Sequence, residues 1–160
     1  MATIIPRTLT LAVGLPGSGK STWFRNCGIT PLSSDYLRLL LLEDEGAQNN
    51  NCMIHSTMQT LTTLRLATGA HFTYIDAVNY TRRDRAHYLA IAERFNITAK
   101  AIWFKTPLAT CLRNNTERKR QVPEDVIKRM AQNFEPPTLE EGFTTIDEQV
   151  TQDLWRERNA

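Results

Sequence analysis

The sequence predicts an α/β fold in three layers, with a central parallel sheet of about five strands between helices on both faces. Two observations predict it. Short β-branched runs alternate with longer helical stretches, and a Gly-rich turn separates the first run from the first helix. Right-handed crossovers bring the carboxyl ends of such strands to one edge of the sheet, where these folds build their sites. The 160 residues suffice for one core without disulfide or metal staples, since a chain of this length buries roughly 70% of its unfolded surface. A single domain over residues 1–160 is the expectation.

Each element has a local signal. Thr8 to Val13 is apolar and β-branched and reads as the first strand, with a helix starting at about Lys20 after the Gly-rich turn. Thr30 to Ser33 reads as a second strand, followed by a short helix after Asp35. From about Cys52 to Thr68, apolar residues at Met58, Leu61, Leu64 and Leu66 suit a helix ended by Gly69. His71 to Ile75 is a third strand, and Thr81 caps a helix running to Phe95. Ala99 to Phe104 is a fourth strand, helical pieces follow around Leu108 to Leu112 and Pro123 to Gln132, and a weak fifth strand spans Phe143 to Ile146.

Composition excludes several classes. With 41% hydrophobic and 22% charged residues, the chain is neither disordered nor fibrous. A net charge of +2 argues against a wholly basic nucleic-acid binder, though not against a local basic site. Cys27, Cys52 and Cys111 lack the short paired spacing of a disulfide framework or zinc site, and His55, His71 and His87 form no metal array. The N-terminus Met1-Ala-Thr-Ile-Ile-Pro-Arg7 has no basic region followed by an apolar core, and Leu39 to Leu42 falls far short of the ~20 residues that span a bilayer. A cytoplasmic protein with reduced thiols is expected.

The strongest chemical signal follows the first strand. Gly14-Leu15-Pro16-Gly17-Ser18-Gly19-Lys20-Ser21-Thr22 is a complete G-x-x-x-x-G-K-S phosphate loop. Its glycines let the backbone wrap phosphates with N–H groups turned inward, and the following helix points its positive end at the same anion. Lys20 would neutralise the β- and γ-phosphates of ATP, and the Ser21 hydroxyl would ligate the bridging Mg2+. A GTPase should carry N-K-x-D, which does not occur here. Thr144-Thr145-Ile146-Asp147-Glu148 superficially fits the Asp-Glu strand of an ATPase motor, but it lies late in the chain on a weak strand and reads as a solvated strand end. Phosphoryl transfer by a small kinase is the class that remains.

The acceptor side lies at the next strand ends. Asp35 follows the second strand, beside the phosphate loop, where a carboxylate can take the proton of an attacking hydroxyl. Arg38 is one helical turn on and can hold an anionic group of the acceptor. Asp76-Ala77-Val78-Asn79 follows the third strand, and Asp76 could hold a magnesium-bound water or a partner arginine. Arg82, Arg83 and Arg85 crowd a helix start, where the dipole disfavours cations, so an anionic partner and a solvated charge run are both open. Arg85 is the candidate substrate contact. Between Arg113 and Arg120, four cations face one carboxylate in eight residues. This is where small kinases place a lid, about residues 113–123, with Arg113 and Arg118 positioned to stabilise the transferring phosphoryl group and exclude water.

These segments together resemble the kinase domain of polynucleotide 5′-hydroxyl kinases, the end-healing enzymes of nucleic-acid repair. The resemblance rests on the loop Gly14 to Thr22, Ser33-Ser34-Asp35 with Arg38, Asp76 to Asn79, Arg113-Asn114 with the basic stretch to Val122, and Phe134 to Phe143. It covers about Thr8 to Ile146. It implies a P-loop NTPase/kinase fold with an arginine-bearing lid, ATP as donor and Mg2+ as metal. Lys20 and Ser21 would bind ATP and Mg2+, Asp35 would be the general base, and Arg38 would hold the phosphate 3′ to the terminal nucleoside. Arg113 and Arg118 would be the lid arginines, with Arg120 an equal candidate for the second. Val78 replaces the Thr of the family's Asp-x-Thr-Asn. No Asp-x-Asp-Gly-Thr phosphatase or Lys-x-Asp-Gly ligase motif is present, so 3′-phosphatase and sealing steps would belong to another protein. The implied partner is a 5′-OH end of DNA or RNA; the same chemistry on a small metabolite, nucleoside or antibiotic, or a nucleotide switch without transfer, are the alternatives.

Overall fold

The computed structural model describes residues 6–44 and 50–149. The first five residues, read above for a leader, lie outside the described residues. Five strands, β1 (Thr8–Val13), β2 (Leu32–Ser33), β3 (Phe72–Asp76), β4 (Thr98–Phe104) and β5 (Thr145–Gln149), form one sheet in the order β2-β3-β1-β4-β5. Every pairing is parallel. The helices are α1 (Lys20–Asn26), α2 (Ser34–Leu42), α3 (Asn51–Ala67), α4 (Arg82–Arg94), α5 (Leu108–Thr116) and α6 (Glu124–Gln132). The architecture is the expected three-layer α/β P-loop kinase fold.

β1 is buried along all six residues, as a central parallel strand covered on both faces must be. One core cluster packs Leu9, Leu11, Val13, Ile75, Ala99 and Ala101 against Leu37, Ile54, Met58, Tyr88 and Ala92. On the other face Ala12, Ile102, Phe24 and Phe104 form a second, where Phe24 meets Trp23 and Tyr74 edge-on at 5.3 and 5.9 Å. α4 begins in the manner its sequence signals: the Thr81 hydroxyl accepts from Asp84 N, and the Asp84 carboxylate accepts from Thr81 N, a closed capping box.

Two expectations shift. α5 runs on to Thr116, four residues past Leu112. β5 spans Thr145–Gln149 rather than Phe143 to Ile146, because Phe143 turns into the core at 4% exposure while Thr144 N donates to Ala99 O to start the pairing. Asp147 and Glu148 therefore lie within an exposed edge strand, where Glu148 meets Lys105 at 3.1 Å. Among the described residues, no helix is long and apolar enough to cross a membrane.

Candidate active site

The phosphate loop is held by its backbone. Gly14 N donates to Val78 O, which joins the loop to the end of β3. A Cβ on Gly14 would meet Ser18 Oγ at 2.7 Å, and one on Gly17 (φ +80°) would run into the Cys111 carbonyl of α5. Lys20 opens α1 and turns back into the loop, donating from Nζ to Gly14 O (2.7 Å), Leu15 O (2.8 Å) and Ser18 Oγ (3.3 Å). Burial lowers its pKa to about 8, with the Asp76 carboxylate the largest opposing influence.

One residue on, the Ser21 hydroxyl donates to Asp76 Oδ2 at 2.7 Å. Asp76 is buried at the end of β3, and that burial raises its pKa against the pull of Lys20 and the Ser21 hydrogen bond. A hydroxyl and a carboxylate in contact beside a phosphate cradle fit Mg2+, which keeps most of its ligands as water and phosphate oxygen. No group of three or more His, Cys, Asp or Glu side chains that could hold a metal occurs among the described residues. Asn79, with φ 49°, does not start the next helix; it donates from Nδ2 to Ala12 O at 2.8 Å and so ties the end of β3 to β1.

Asp35 sits in the first turn of α2, and Ser33 caps that helix by accepting from Tyr36 N. Arg38, on the same helix, is only 7% exposed and donates to Ser34 O (3.3 Å) and to Asn51 Oδ1 at the start of α3 (2.5 Å). Burial holds its guanidinium below the ordinary value, with Asp35 opposing. Asp35 itself meets two arginines of the lid segment: Arg120 Nη1 lies 2.5 Å from Oδ1 and Arg118 Nη2 3.6 Å from Oδ2.

The lid stem is fastened to the loop. Asn114 Nδ2 donates to Gly17 O (2.9 Å), Thr106 Oγ1 to Ser18 O (2.9 Å), and the buried Asn115 amide bonds both Val122 N and Val122 O at 2.9 Å. Nothing in the sequence reading singled out Asn115, Thr106, Asn51 or His55; their signal was only the neighbourhood of the motifs. A cleft of about 600 Å³ gathers Lys20, Ser21, Asp35, Arg38, Asp76, Arg118 and Arg120 on one wall system, with Asn51 and His55 of α3 at its acceptor side.

Two expected site residues are elsewhere. Arg113 is exposed on α5 and does not line the cleft. Asn114 at the end of α5, and Glu117 and Arg118 in the turn after it, line the cleft instead. Arg85 is fully buried: Nε and Nη2 each lie 2.8 Å from the Glu141 carboxylate, and Nη1 donates to Asn79 O and Glu135 O. It joins α4 to the segment around 135–141 and has no surface to offer a substrate. Arg82 and Arg83 remain exposed but outside the cleft.

The chain is 26% identical over 144 residues to an L-seryl-tRNA(Sec) kinase of Methanococcus maripaludis, covering 81% of this chain and 53% of the relative. It is 28% identical over 145 residues to a bifunctional polynucleotide phosphatase/kinase of Schizosaccharomyces pombe, covering 88% and 33%. The chain thus spans about half of one curated relative and a third of the other. A solved chain from Chloroflexus aurantiacus shares the fold at a TM-score of 0.71 and 13% identity, over 98% of this chain and 97% of that one. Residues 9–137 match the family described as an AAA domain, AAA_33. With its phosphate loop, parallel sheet and fastened lid, the chain belongs to this AAA_33 family and has the fold of P-loop kinases.

Proposed function

We propose that the chain is an ATP- and Mg2+-dependent kinase that transfers the γ-phosphate to the 5′-hydroxyl end of DNA or RNA. The observation that carries the reading is the shared cleft: Asp35 and Arg38 of α2 face Lys20 and Ser21 across it, with Arg118 and Arg120 above. Two curated relatives are named for an L-seryl-tRNA and a polynucleotide, which supports an acceptor that is, or is carried on, a nucleic acid.

In this reading Lys20 would leave the loop carbonyls to bind the β- and γ-phosphates, and Ser21 with Asp76 would hold a magnesium ion, whose charge would offset that of the phosphates. Asp35 takes the proton of the 5′-hydroxyl as its oxygen bonds to the γ-phosphorus and the bond from that phosphorus to the β–γ bridging oxygen breaks, leaving ADP. Arg38 holds the phosphate 3′ to the terminal nucleoside, and the lid arginines offset the charge of the transferring group and keep water out. The enzyme would act in the cytoplasm.

The test is transfer of labelled γ-phosphate to 5′-OH oligonucleotides, run beside a panel of nucleosides and small alcohols. Asp35→Asn should lower kcat by 10² or more, and Arg38→Ala should act mainly on the acceptor KM. Labelling of a small alcohol but no oligonucleotide would reject the acceptor assignment.

A further inference from the structure

The Asp35 carboxylate, which the proposed reaction needs free, is held by the lid on both oxygens, through Arg120 at 2.5 Å and Arg118 at 3.6 Å. We propose that this contact is a latch: it closes the acceptor position until a nucleoside triphosphate binds and draws the two arginines away, so that nucleotide is the obligatory first substrate. The inference rests on the reading of Asp35 as the group that receives the acceptor hydroxyl.

Three features make the contact releasable. Asp35 is about a third exposed (36%), as is Arg118 (35%), so water reaches the carboxylate and that longer pair holds weakly, while Arg120 is the better buried partner at 15%. A polyphosphate carries several negative charges against the single charge of Asp35, so it wins the competition for both guanidinium groups. The Arg120 Nε is buried with no hydrogen-bond partner, so the latched arrangement leaves a donor unsatisfied that a phosphate oxygen could serve. The stem that carries the arginines does not depend on the latch. Asn115 clamps Val122 at one end and Asn114 grips Gly17 O at the other, so the segment between them can re-aim its side chains on fixed supports.

Coupling of this kind is reciprocal: if nucleotide opens Asp35, then Asp35 must oppose nucleotide. The first arm of the test needs no acceptor. Asp35→Asn, an isosteric change, should tighten AMP-PNP binding by 3- to 10-fold in calorimetry; unchanged or weaker binding would overturn the latch whatever the acceptor proves to be. The second arm measures a fluorescent 5′-OH oligonucleotide. The wild-type protein should bind it at least 10-fold more tightly with AMP-PNP and Mg2+ than without, and Arg120→Ala should bring the nucleotide-free affinity to within about 2-fold of the nucleotide-bound one. Equal wild-type affinities in the two conditions, or an Arg120→Ala protein that keeps the wild-type dependence, would also overturn it. Failure of the oligonucleotide to bind at all, with the first arm positive, leaves the latch standing and rejects the polynucleotide acceptor instead.

Discussion

Arg38 and Arg85 are both nearly shut off from solvent, and their partners divide their roles. Arg38 lines the cleft, where donation to the carbonyl of Ser34 and the amide oxygen of Asn51 orients its guanidinium. Arg85 spends its charge on Glu141, and the fully buried pair is completed by carbonyls of Asn79, Glu135 and Pro136. Removing one member of such a pair strands the other. Arg85→Ala should therefore cost about 3–5 kcal/mol in urea unfolding while leaving the acceptor KM of the folded protein unchanged, whereas a role in substrate binding would move KM instead. The sequence could not separate these roles. Three cations in four positions look alike whether solvated or buried, and the partner of Arg85 lies 56 residues away.

At the scale of elements, the strands and helices were legible because their signals are local: the buried run of β1, the Thr81–Asp84 capping box and the Gly after α3 each act within a few residues. The start of β5 was not, because Phe143 carries the hydrophobic signal and spends it on the core rather than in the strand. The basic segment was legible, and with it Arg118 and its alternative Arg120, but not that Arg113 stays outside the cleft. Basic composition marks the segment, yet only the turn after Thr116 brings Arg118 and Arg120, rather than Arg113, onto Asp35. That turn is held by the Asn115 amide, a neutral side chain with no motif around it. Asn115→Ala would leave Val122 N and O without that partner and should cost about 2 kcal/mol, with a raised KM for ATP as the lid loosens. Chemical denaturation and steady-state kinetics on the same variant check the two effects together.

For the molecule as a whole, the titration that bears on nucleotide binding is that of Lys20. Burial brings it to about 8 in the folded chain, against 10.5 when unfolded. Between those values the unfolded chain holds the extra proton, so the nucleotide-free protein should gain stability as pH rises through the window. Nucleotide binding should do the reverse. Phosphates favour the charged lysine, so binding takes up a proton above pH 8, and affinity falls by up to about tenfold per pH unit. Calorimetry at pH 9 in buffers of different ionisation enthalpy reads that proton directly, and binding without uptake would mean that Lys20 is already charged in the free protein. One contact bears on how such a molecule could be redesigned. Gly17 meets α5 at the Cys111 carbonyl, backbone against backbone, with no room for a Cβ between them. The spacing of the phosphate loop from the lid stem is therefore indifferent to which side chains α5 carries outward. A graft that changes the outward face of α5 while keeping Gly17, Asn114 and the α5 backbone leaves the loop and the stem at the same spacing.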